Sequence, residues 1–313
     1  MADLSMREAY GRALAEYGGT NPRLVALDVD TSASTLSKFF AERFSDRFFN
    51  IGIAEPCMVD VAVGLALGGF LPFINGFASI LSLRALEQIR TCVCYGQTNV
   101  KIAASYAGVS DFKDGATHYS ISDLANVRAL PNMTVIVPAD AAEAAAWVPL
   151  IAEYDGPVYL RLSRAGALPV YQPGTKLEIG KGRLLRQGYD LTLVATGTMV
   201  GRCCVAAEKL SAIGIDTRLL EVHTLKPLDR ELLILAAEET GAMVTAEEHN
   251  IIGGLGSAVA EALAESVPIP IERVGIPDRF CLTGRDLDKL MDHSGLSVEN
   301  IIAAAMRVME RKR

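Results

Sequence analysis

Short apolar segments alternate with helical patterns along most of the 313-residue chain. Residues 24–27 (LVAL), 133–137 (MTVIV) and 191–195 (LTLVA) are examples of these segments. Strands that are apolar almost throughout are typical of parallel sheets, because helices cover both faces of such sheets. The sequence therefore predicts an α/β fold with doubly wound sheets. Residues 34–43 and 79–95 are each predicted to form one continuous helix.

A stretch rich in proline and glycine divides this alternation into two halves. It contains Pro169 and Pro173, and such residues favour turns over regular structure. We therefore expect two doubly wound domains, at residues 1–165 and 189–313, joined by a linker at residues 166–188.

The composition argues against several classes of partner. The formal net charge of −7 and the isoelectric point near 5.3 give no basic surface for nucleic acid or an anionic membrane. The six cysteines have neither disulfide nor zinc spacing, which fits a reducing compartment. No apolar run reaches the roughly 20 residues that span a bilayer. These features predict a cytoplasmic protein without a metal site of its own.

Residues 48–56 (FFNIGIAEP) lead into an apolar helix and contain one acid, Glu55. Pro56 favours the first turn of a helix, which places Glu55 at or just before the helix start. A carboxylate among apolar neighbours loses hydration and requires a partner. From these residues alone, two interpretations stay open. Glu55 is either a structural acid that compensates the helix dipole or a functional acid.

Other polar residues follow the predicted strands of the first half, where ligands of parallel sheets collect. The set comprises Asp28, Asp30, Ser34, Glu55, Asn75, Phe77, the loop at 106–118 and Arg164. The loop is long and highly charged for a plain connection. His118 taken alone would be an ordinary surface residue, and Arg161 and Arg164 would be a solvated strand end.

A glycine-containing segment at residues 254–258 (GLGSA) is faintly similar to a dinucleotide-binding loop. The chain lacks a second mononucleotide-like unit with a ribose-binding acid. We therefore interpret these glycines as close packing between a helix and a strand. No Gly-x-Ser-x-Gly nucleophile motif is present.

Three longer motifs resemble the C-terminal half of the transketolase family. They are NIGIAEPCMVDVAVGLALGG, KDGATHYSISDLANVRALPNMTVIVPADAAEA and LRLSR. The resemblance continues through LTLVATGTMV and AEEHNIIGGLGSAVAE, which are also similar to 2-oxoacid dehydrogenase β chains and deoxyxylulose-phosphate synthases. It implies a pyrimidine-binding thiamine diphosphate fold followed by a transketolase C-terminal-like domain.

The resemblance also implies roles for residues at the cofactor. Glu55 corresponds to the catalytic acid that hydrogen-bonds the pyrimidine ring of thiamine diphosphate and promotes its imino tautomer. Phe77 corresponds to the aromatic residue that stacks on the aminopyrimidine. Ile80 stands where a second aromatic residue is usual, so we expect a thinner apolar wall there.

For the substrate, the resemblance assigns His118 to the ketose hydroxyls and to proton transfer. Asp114 matches an acid that contacts a sugar hydroxyl, and Arg164 matches an arginine that binds the acceptor's phosphate. Asp30 and Ser34 correspond to the stretch that approaches the same end of the substrate.

Two departures from the family pattern bear on the choice of substrate. Tyr106 stands where transketolases usually have a phosphate-side histidine, and Phe112 and Lys113 replace the usual Gly-Glu. We therefore expect an atypical sugar donor or acceptor, and a sulfonated sugar is one possibility.

The sequence contains no Gly-Asp-Gly, the motif that begins the diphosphate and Mg²⁺ site in this family. The resemblance therefore implies one subunit of a split transketolase, inactive alone. An N-terminal subunit would hold the diphosphate and Mg²⁺ in an α2β2 assembly. Two alternatives stay open, a 2-oxoacid dehydrogenase β subunit and a non-catalytic scaffold subunit.

Overall fold

The computed structural model describes residues 4–171 and 174–312. Residues 1–3, 172–173 and 313, which belong to the predicted domains and linker, lie outside the described residues. Twelve strands are present in these residues. The first six are β1 (Leu24–Asp28), β2 (Phe48–Asn50), β3 (Leu71–Phe77), β4 (Lys101–Ser105), β5 (Thr134–Ile136) and β6 (Val158–Arg161). The others are β7 (Arg183–Arg186), β8 (Leu191–Ala195), β9 (Thr217–Glu221), β10 (Thr224–Lys226), β11 (Met243–Asn250) and β12 (Ile271–Ile276).

Helices separate most of these strands. In the first half they are α1 (Met6–Gly18), α2 (Ser32–Thr35), α3 (Lys38–Arg43), α4 (Glu55–Leu67), α5 (Ala78–Arg84), α6 (Leu86–Gln88), a π-helix (Ile89–Tyr95), α7 (Asp123–Arg128) and α8 (Ala141–Glu153). In the second half they are α9 (Met199–Ala212), α10 (Arg230–Thr240), α11 (Leu255–Ala264), α12 (Leu287–His293) and α13 (Val298–Glu310).

The first sheet has seven strands in the order β10-β5-β6-β4-β3-β1-β2. Its strands are parallel except β10, which pairs antiparallel with β5 at one edge. Alternate residues of β1 enter two different cores. Leu24 packs in a cluster with α1 and α8, and Val25 packs in a cluster with α4 and α5. Both faces of the sheet are therefore covered by helices, as the apolar strands predicted.

The second sheet has five strands in the order β12-β11-β8-β9-β7, and only β7 at its edge is antiparallel. One face packs on α9, α12 and α13. On the other face, Val194 and Leu220 belong to the same apolar cluster as residues of α4 and α5. The two sheets thus share one continuous core between them.

Local structure differs from the sequence predictions at four places. Residues 34–43 do not form one helix, because Leu36 adopts φ 64° and separates α2 from α3. The helix predicted at 79–95 is divided into α5, α6 and a π-helix. Strand β7 lies inside the segment predicted as a linker. Strand β10 was not predicted, and it joins the first sheet from the second half of the chain.

No helix within residues 4–171 and 174–312 is both long and apolar enough to cross a membrane.

Candidate active site

The predicted site residues follow neighbouring strands of the first sheet. Strands β2, β1, β3, β4 and β6 are adjacent and parallel, so their carboxyl ends lie along one edge. The residues that follow these ends are Asp30 and Ser34 after β1, Glu55 after β2, Phe77 and Ile80 at and after β3, Tyr106, Asp114 and His118 after β4, and Arg164 after β6. The topology therefore brings all nine to the edge where ligands of such sheets bind.

Glu55 is the first residue of α4, with Pro56 in the same turn. Its side chain is buried, and the whole residue is 4% exposed. Within the described part of the chain, its hydrogen-bond partner is Arg84 of α5, whose Nη1 donates to Oε1 over 3.3 Å. The Arg84 side chain is 59% exposed, so this ion pair is largely solvated and contributes little stability. The burial of Glu55 is thus not matched by internal hydrogen bonds.

Phe77, at the end of β3, lies between two other predicted site residues. Its ring stacks on Tyr106 with the centroids 4.3 Å apart and an angle of 27° between the planes. The edge-on contact with the His118 ring has a centroid distance of 6.3 Å. Because Tyr106 occupies one face of Phe77, any ligand ring that stacks on Phe77 must use the other face. Ile80 lies in the following turn and is half-buried.

Tyr106 connects the aromatic residues to two arginines. Nη1 of Arg7 donates to the Tyr106 hydroxyl over 2.7 Å. The guanidinium groups of Arg7 and Arg164 lie 5.5 and 5.4 Å from the Tyr106 ring centroid. Tyr106 itself adopts φ 64°, a conformation that costs energy for a bulky side chain. Such strained residues concentrate at functional sites, and this one occurs where the sequence departs from the family pattern.

Arg7 was not identified from the sequence. Its Nη1 also donates to the carbonyl oxygen of Ser34 over 2.6 Å, which links α1 to the turn after β1. One signal in the sequence could have revealed it. Arg7 lies in the first turn of α1, where a basic side chain is unfavourable to the helix dipole. A cation at such a position indicates a contact elsewhere.

The turn that carries Asp30 and Ser34 is built around Asp28. The Asp28 side chain is fully buried and accepts hydrogen bonds from Thr31, Thr35 and Ser37. Burial raises the pKa of Asp28, and these hydrogen bonds oppose that rise. Asp30 is exposed at the edge of the sheet, with φ 65° and hydrogen bonds to the Asn50 side chain. Asp28 is therefore a structural residue that positions Asp30.

Asp114 and His118 lie on two successive turns of the loop after β4. The Asp114 side chain is exposed, and its amide donates to the carbonyl oxygen of Asp111 over 3.2 Å. Nδ1 of His118 lies 3.1 Å from the Thr117 hydroxyl. Within the described residues, this leaves Nε2 of His118 without a hydrogen-bond partner. Both side chains are thus placed to reach a ligand at the edge of the sheet.

The same loop is anchored from behind by buried charges. Arg161 is not the solvated strand end that the sequence suggested, because it is 4% exposed and forms an ion pair of 2.8 Å with Asp123. It also donates to the carbonyl oxygens of Ser120 and Glu248. The Glu248 side chain accepts from the Val109 amide over 2.8 Å. The second half of the chain therefore holds the site loop in place.

Some strand-end residues prove to be structural. The Asn75 side chain is buried and bonds to the Tyr10 hydroxyl and to the Leu27 carbonyl. The Glu247 carboxylate accepts from the amides of Leu255 and Gly256 at the start of α11. Because a carboxylate already occupies these two amides, they are not free to bind a phosphate. This agrees with the packing interpretation of its glycines.

Comparison with known proteins identifies relatives over the whole chain. Residues 2–167 match the family described as "Transketolase, pyrimidine binding domain", and residues 180–301 match "Transketolase, C-terminal domain". The chain is 42% identical over 307 residues to the 6-deoxy-6-sulfo-D-fructose transketolase subunit SqwH of Clostridium sp. (strain MSTE9), covering 98% of this chain and 95% of that protein. It is 35% identical over 309 residues to one subunit of the apulose-4-phosphate transketolase of Phocaeicola vulgatus, covering 98% of each.

A solved structure has the same fold. It is described as "Split gene transketolase, inactive beta4 tetramer", and it superposes with a TM-score of 0.90 at 47% identity, covering 99% of each chain.

Proposed function

Because the chain belongs to the transketolase family and is the C-terminal subunit of a split transketolase, we propose that it completes a thiamine diphosphate site shared with a second subunit. The proposed reaction transfers a two-carbon ketol unit from a ketose to an aldose. The observation that carries this proposal is the Glu55 carboxyl group, which is buried at the start of α4 with a solvated arginine as its partner.

The described residues fit the pyrimidine end of thiamine diphosphate, on which this family depends. When bound, the cofactor supplies the nucleophilic carbon that carries the two-carbon unit between the two sugars. Glu55 offers a carboxyl oxygen for a ring nitrogen. Phe77 offers one aromatic face, which suits stacking on a heterocycle. Ile80 offers an apolar wall at the next turn of the chain.

A second subunit is needed to hold the other end of the cofactor. The sequence contains no Gly-Asp-Gly for the diphosphate and Mg²⁺. We propose that an N-terminal transketolase subunit supplies this motif, that it holds the Mg²⁺ and that the two subunits assemble as α2β2. The relative described as a β4 tetramer is called inactive, which agrees with our expectation that this chain is inactive alone.

The surface around α4 supports a partner at this position. Most residues of α4 are apolar, yet only one side of the helix is buried in the chain. Ile53 and Leu67, at the two ends of α4, are each 77% exposed, and Leu83 of α5 is 59% exposed. A helix that is apolar on all sides is normally buried on all sides. We propose that the N-terminal subunit covers this face.

The substrate end of the site carries positive charge. Arg7 and Arg164 flank Tyr106, with Ser34 and Asp30 on the adjacent turn. Guanidinium groups suit oxyanions, and the two relatives named above act on a sulfonated sugar and a sugar phosphate. We propose that this chain's substrate is a sugar with a terminal oxyanion, within carbohydrate metabolism that includes pentose phosphates.

We assign proton transfer at a substrate hydroxyl to His118, through Nε2. Asp114 would bind a neighbouring hydroxyl. All six cysteines of the chain are free thiols, which supports our proposal of a reducing, cytoplasmic location.

Reconstitution tests the proposed function. The chain would be mixed with an N-terminal transketolase subunit, thiamine diphosphate, Mg²⁺, an aldose phosphate and either a ketose phosphate or 6-deoxy-6-sulfo-D-fructose. We expect ketol transfer only in the complete mixture. In a parallel mixture, a 2-oxo acid and an oxidised lipoyl domain replace the two sugars. Loss of CO2 with acylation of the lipoyl domain there, and no ketol transfer in the first mixture, would contradict the proposal and indicate a 2-oxoacid dehydrogenase. A complex that binds thiamine diphosphate but catalyses neither reaction would indicate a scaffold.

A further inference from the structure

Asp111 is an unusual residue in the loop after β4. It is fully buried, at 0% exposure. No hydrogen-bond donor in residues 4–171 and 174–312 reaches either of its carboxylate oxygens. Its backbone oxygen accepts from the amides of Asp114 and Gly115, which closes a tight turn. A buried carboxylate without donors is costly, so the charged form of this group is disfavoured.

The side chains that face Asp111 come from several parts of the chain. The Asp114 carboxyl group lies within hydrogen-bonding reach on the same turn. Arg164, Arg7 and the Tyr119 phenol are close enough for electrostatic interaction. Burial and the charge of Asp114 raise the pKa of Asp111 to about 7, although the two arginines oppose this shift.

The contact between the two acids has a simple chemical requirement. Two ionised carboxylates have no proton to share and repel each other, so the pair hydrogen-bonds only when one group is protonated. Asp111 is the buried member and Asp114 the exposed one. The proton therefore stays on Asp111, which donates to Asp114. In this state the Asp114 carboxyl group is held in place and stays exposed to solvent.

We propose that Asp111 and Asp114 form an acid pair that shares one proton, and that Asp111 uses this proton to position Asp114 for the hydroxyl groups of the sugar. Asp111 is a positioning residue, because it is buried behind the group that meets the substrate. The inference rests on the proposed function, since that function makes Asp114 a substrate-binding residue.

The pair makes substrate binding depend on pH with a defined sign. Below about pH 7 the shared proton holds Asp114 in place. Above it, Asp111 loses this proton, so the hydrogen bond is lost and the exposed Asp114 side chain is no longer held in position. We expect KM for the sugar to rise above neutral pH while kcat changes little, because binding is weakened in the ground state and transition state alike.

Kinetics of the reconstituted enzyme test this consequence. In wild type we expect KM to rise about tenfold between pH 6 and pH 8.5, the effect of about one charge-assisted hydrogen bond. Asp111→Asn carries an amide that donates to Asp114 at every pH, so its KM should stay low and flat. Asp111→Val has no donor, so its KM should be high at both pH values.

Asp46→Asn is the matched control, because Asp46 is exposed and precedes β2 at the opposite edge of the sheet. Its KM profile should follow that of wild type. A profile of Asp111→Asn that also follows wild type would overturn the proposal.

A second measurement does not depend on activity. Carboxyl ¹³C resonances of aspartate in the full-length chain would be followed by NMR from pH 3 to pH 9. We expect one resonance to titrate near pH 7 and to vanish in Asp111→Asn. In Asp114→Asn, the same resonance should titrate at lower pH, because the like charge is gone.

The two measurements distinguish a failure of the acid pair from a failure of the proposed function. If Asp111 titrates near pH 4, like an ordinary aspartate, the acid pair does not exist whatever reaction the enzyme catalyses. If Asp111 titrates near pH 7 in a complex that transfers no ketol unit, the pair exists but its role in sugar binding is refuted together with the proposed function.

Discussion

Two buried glutamate carboxylates in this chain lie at the starts of helices, that of Glu55 at α4 and that of Glu247, from β11, at α11. They differ in their hydrogen-bond partners. Glu247 accepts hydrogen bonds of 2.7 and 2.8 Å from two amides of α11. Glu55 has an ion pair with the exposed Arg84, and its second oxygen has no hydrogen bond to the described residues. Burial is nearly the same, at 1% and 4%.

The difference shows that burial alone does not mark a functional acid. Glu247 is satisfied by its own domain, so it needs nothing from outside. Glu55 has lost most of its hydration without gaining equivalent hydrogen bonds. A site that a cofactor and a partner subunit complete would leave an acid in this condition.

The largest effect that the comparison predicts is on activity. Glu55→Gln should lower kcat/KM of the reconstituted enzyme about 100-fold or more, the range typical of lost acid–base assistance. The free energy of unfolding should change by less than about 1 kcal/mol, because the pair with Arg84 is solvated. Steady-state kinetics and urea unfolding measure the two quantities. Glu238→Gln, an exposed change on α10, is the control, and full activity of Glu55→Gln would contradict the account.

For Glu247 we expect the opposite result, a loss of stability with little change in activity. Glu247→Ala should lower the free energy of unfolding by about 1–3 kcal/mol, because the amides of Leu255 and Gly256 lose their acceptor. Activity per folded complex should stay close to that of wild type. Urea unfolding of the isolated chain gives the first value. A variant with unchanged stability and lost activity would reverse the roles that we assign to the two acids.

A smaller effect, on cofactor affinity, is expected at the aromatic side of the site. Phe77→Leu removes the aromatic face, so thiamine diphosphate should bind the two-subunit complex about 2- to 12-fold more weakly, the value of one aromatic contact. Calorimetric titration of the complex with the cofactor measures this. Phe70→Leu, at the amino end of β3, provides the control. Equal affinities for both variants would show that Phe77 does not touch the cofactor.

The smallest expected effect is a change in how steeply the free energy of unfolding depends on pH. It arises where the two halves of the chain meet. Glu143 of α8 and Glu221 of β9 are buried side by side, and burial raises the pKa of both, that of Glu143 to about 7. The folded chain keeps protons that the unfolded chain releases above about pH 4.5. Stability should therefore fall as pH rises from about 4.5 through 7.

Glu221→Gln should flatten this slope, because the new amide can donate to Glu143 and one charge is removed. Unfolding free energies at pH 5, 6, 7 and 8 would show it, with Glu238→Gln as the control. Parallel curves for Glu221→Gln and wild type would mean that the pair does not titrate in this range.

Much of the fold could be predicted from the sequence, because buried parallel strands such as residues 24–27 and 191–195 are apolar throughout. The exceptions have local physical causes. Strand β10 has three residues and gains its structure only by pairing with β5. The break at Leu36 and the π-helix leave the spacing of apolar residues almost unchanged, so periodicity does not reveal them.

The sequence could predict which residues lie at this edge of the sheet where they follow strands, but not where they come from other elements. Glu55, Phe77 and His118 were predicted from their place after strands and from the family resemblance, and the structure brings them to the same edge. Arg7 was missed because it reaches the site from α1, and contacts across the fold leave no spacing pattern in the sequence. Arg161 was misjudged because its partner Asp123 is distant in sequence.

Hydrogen–deuterium exchange of the two-subunit complex, with and without thiamine diphosphate and Mg²⁺, tests the central comparison most directly. The account predicts that the cofactor slows exchange in peptides covering the start of α4 and residues 77–84, and leaves residues 247–256 unchanged. Unchanged exchange around Glu55, or slower exchange around Glu247 instead, would contradict it.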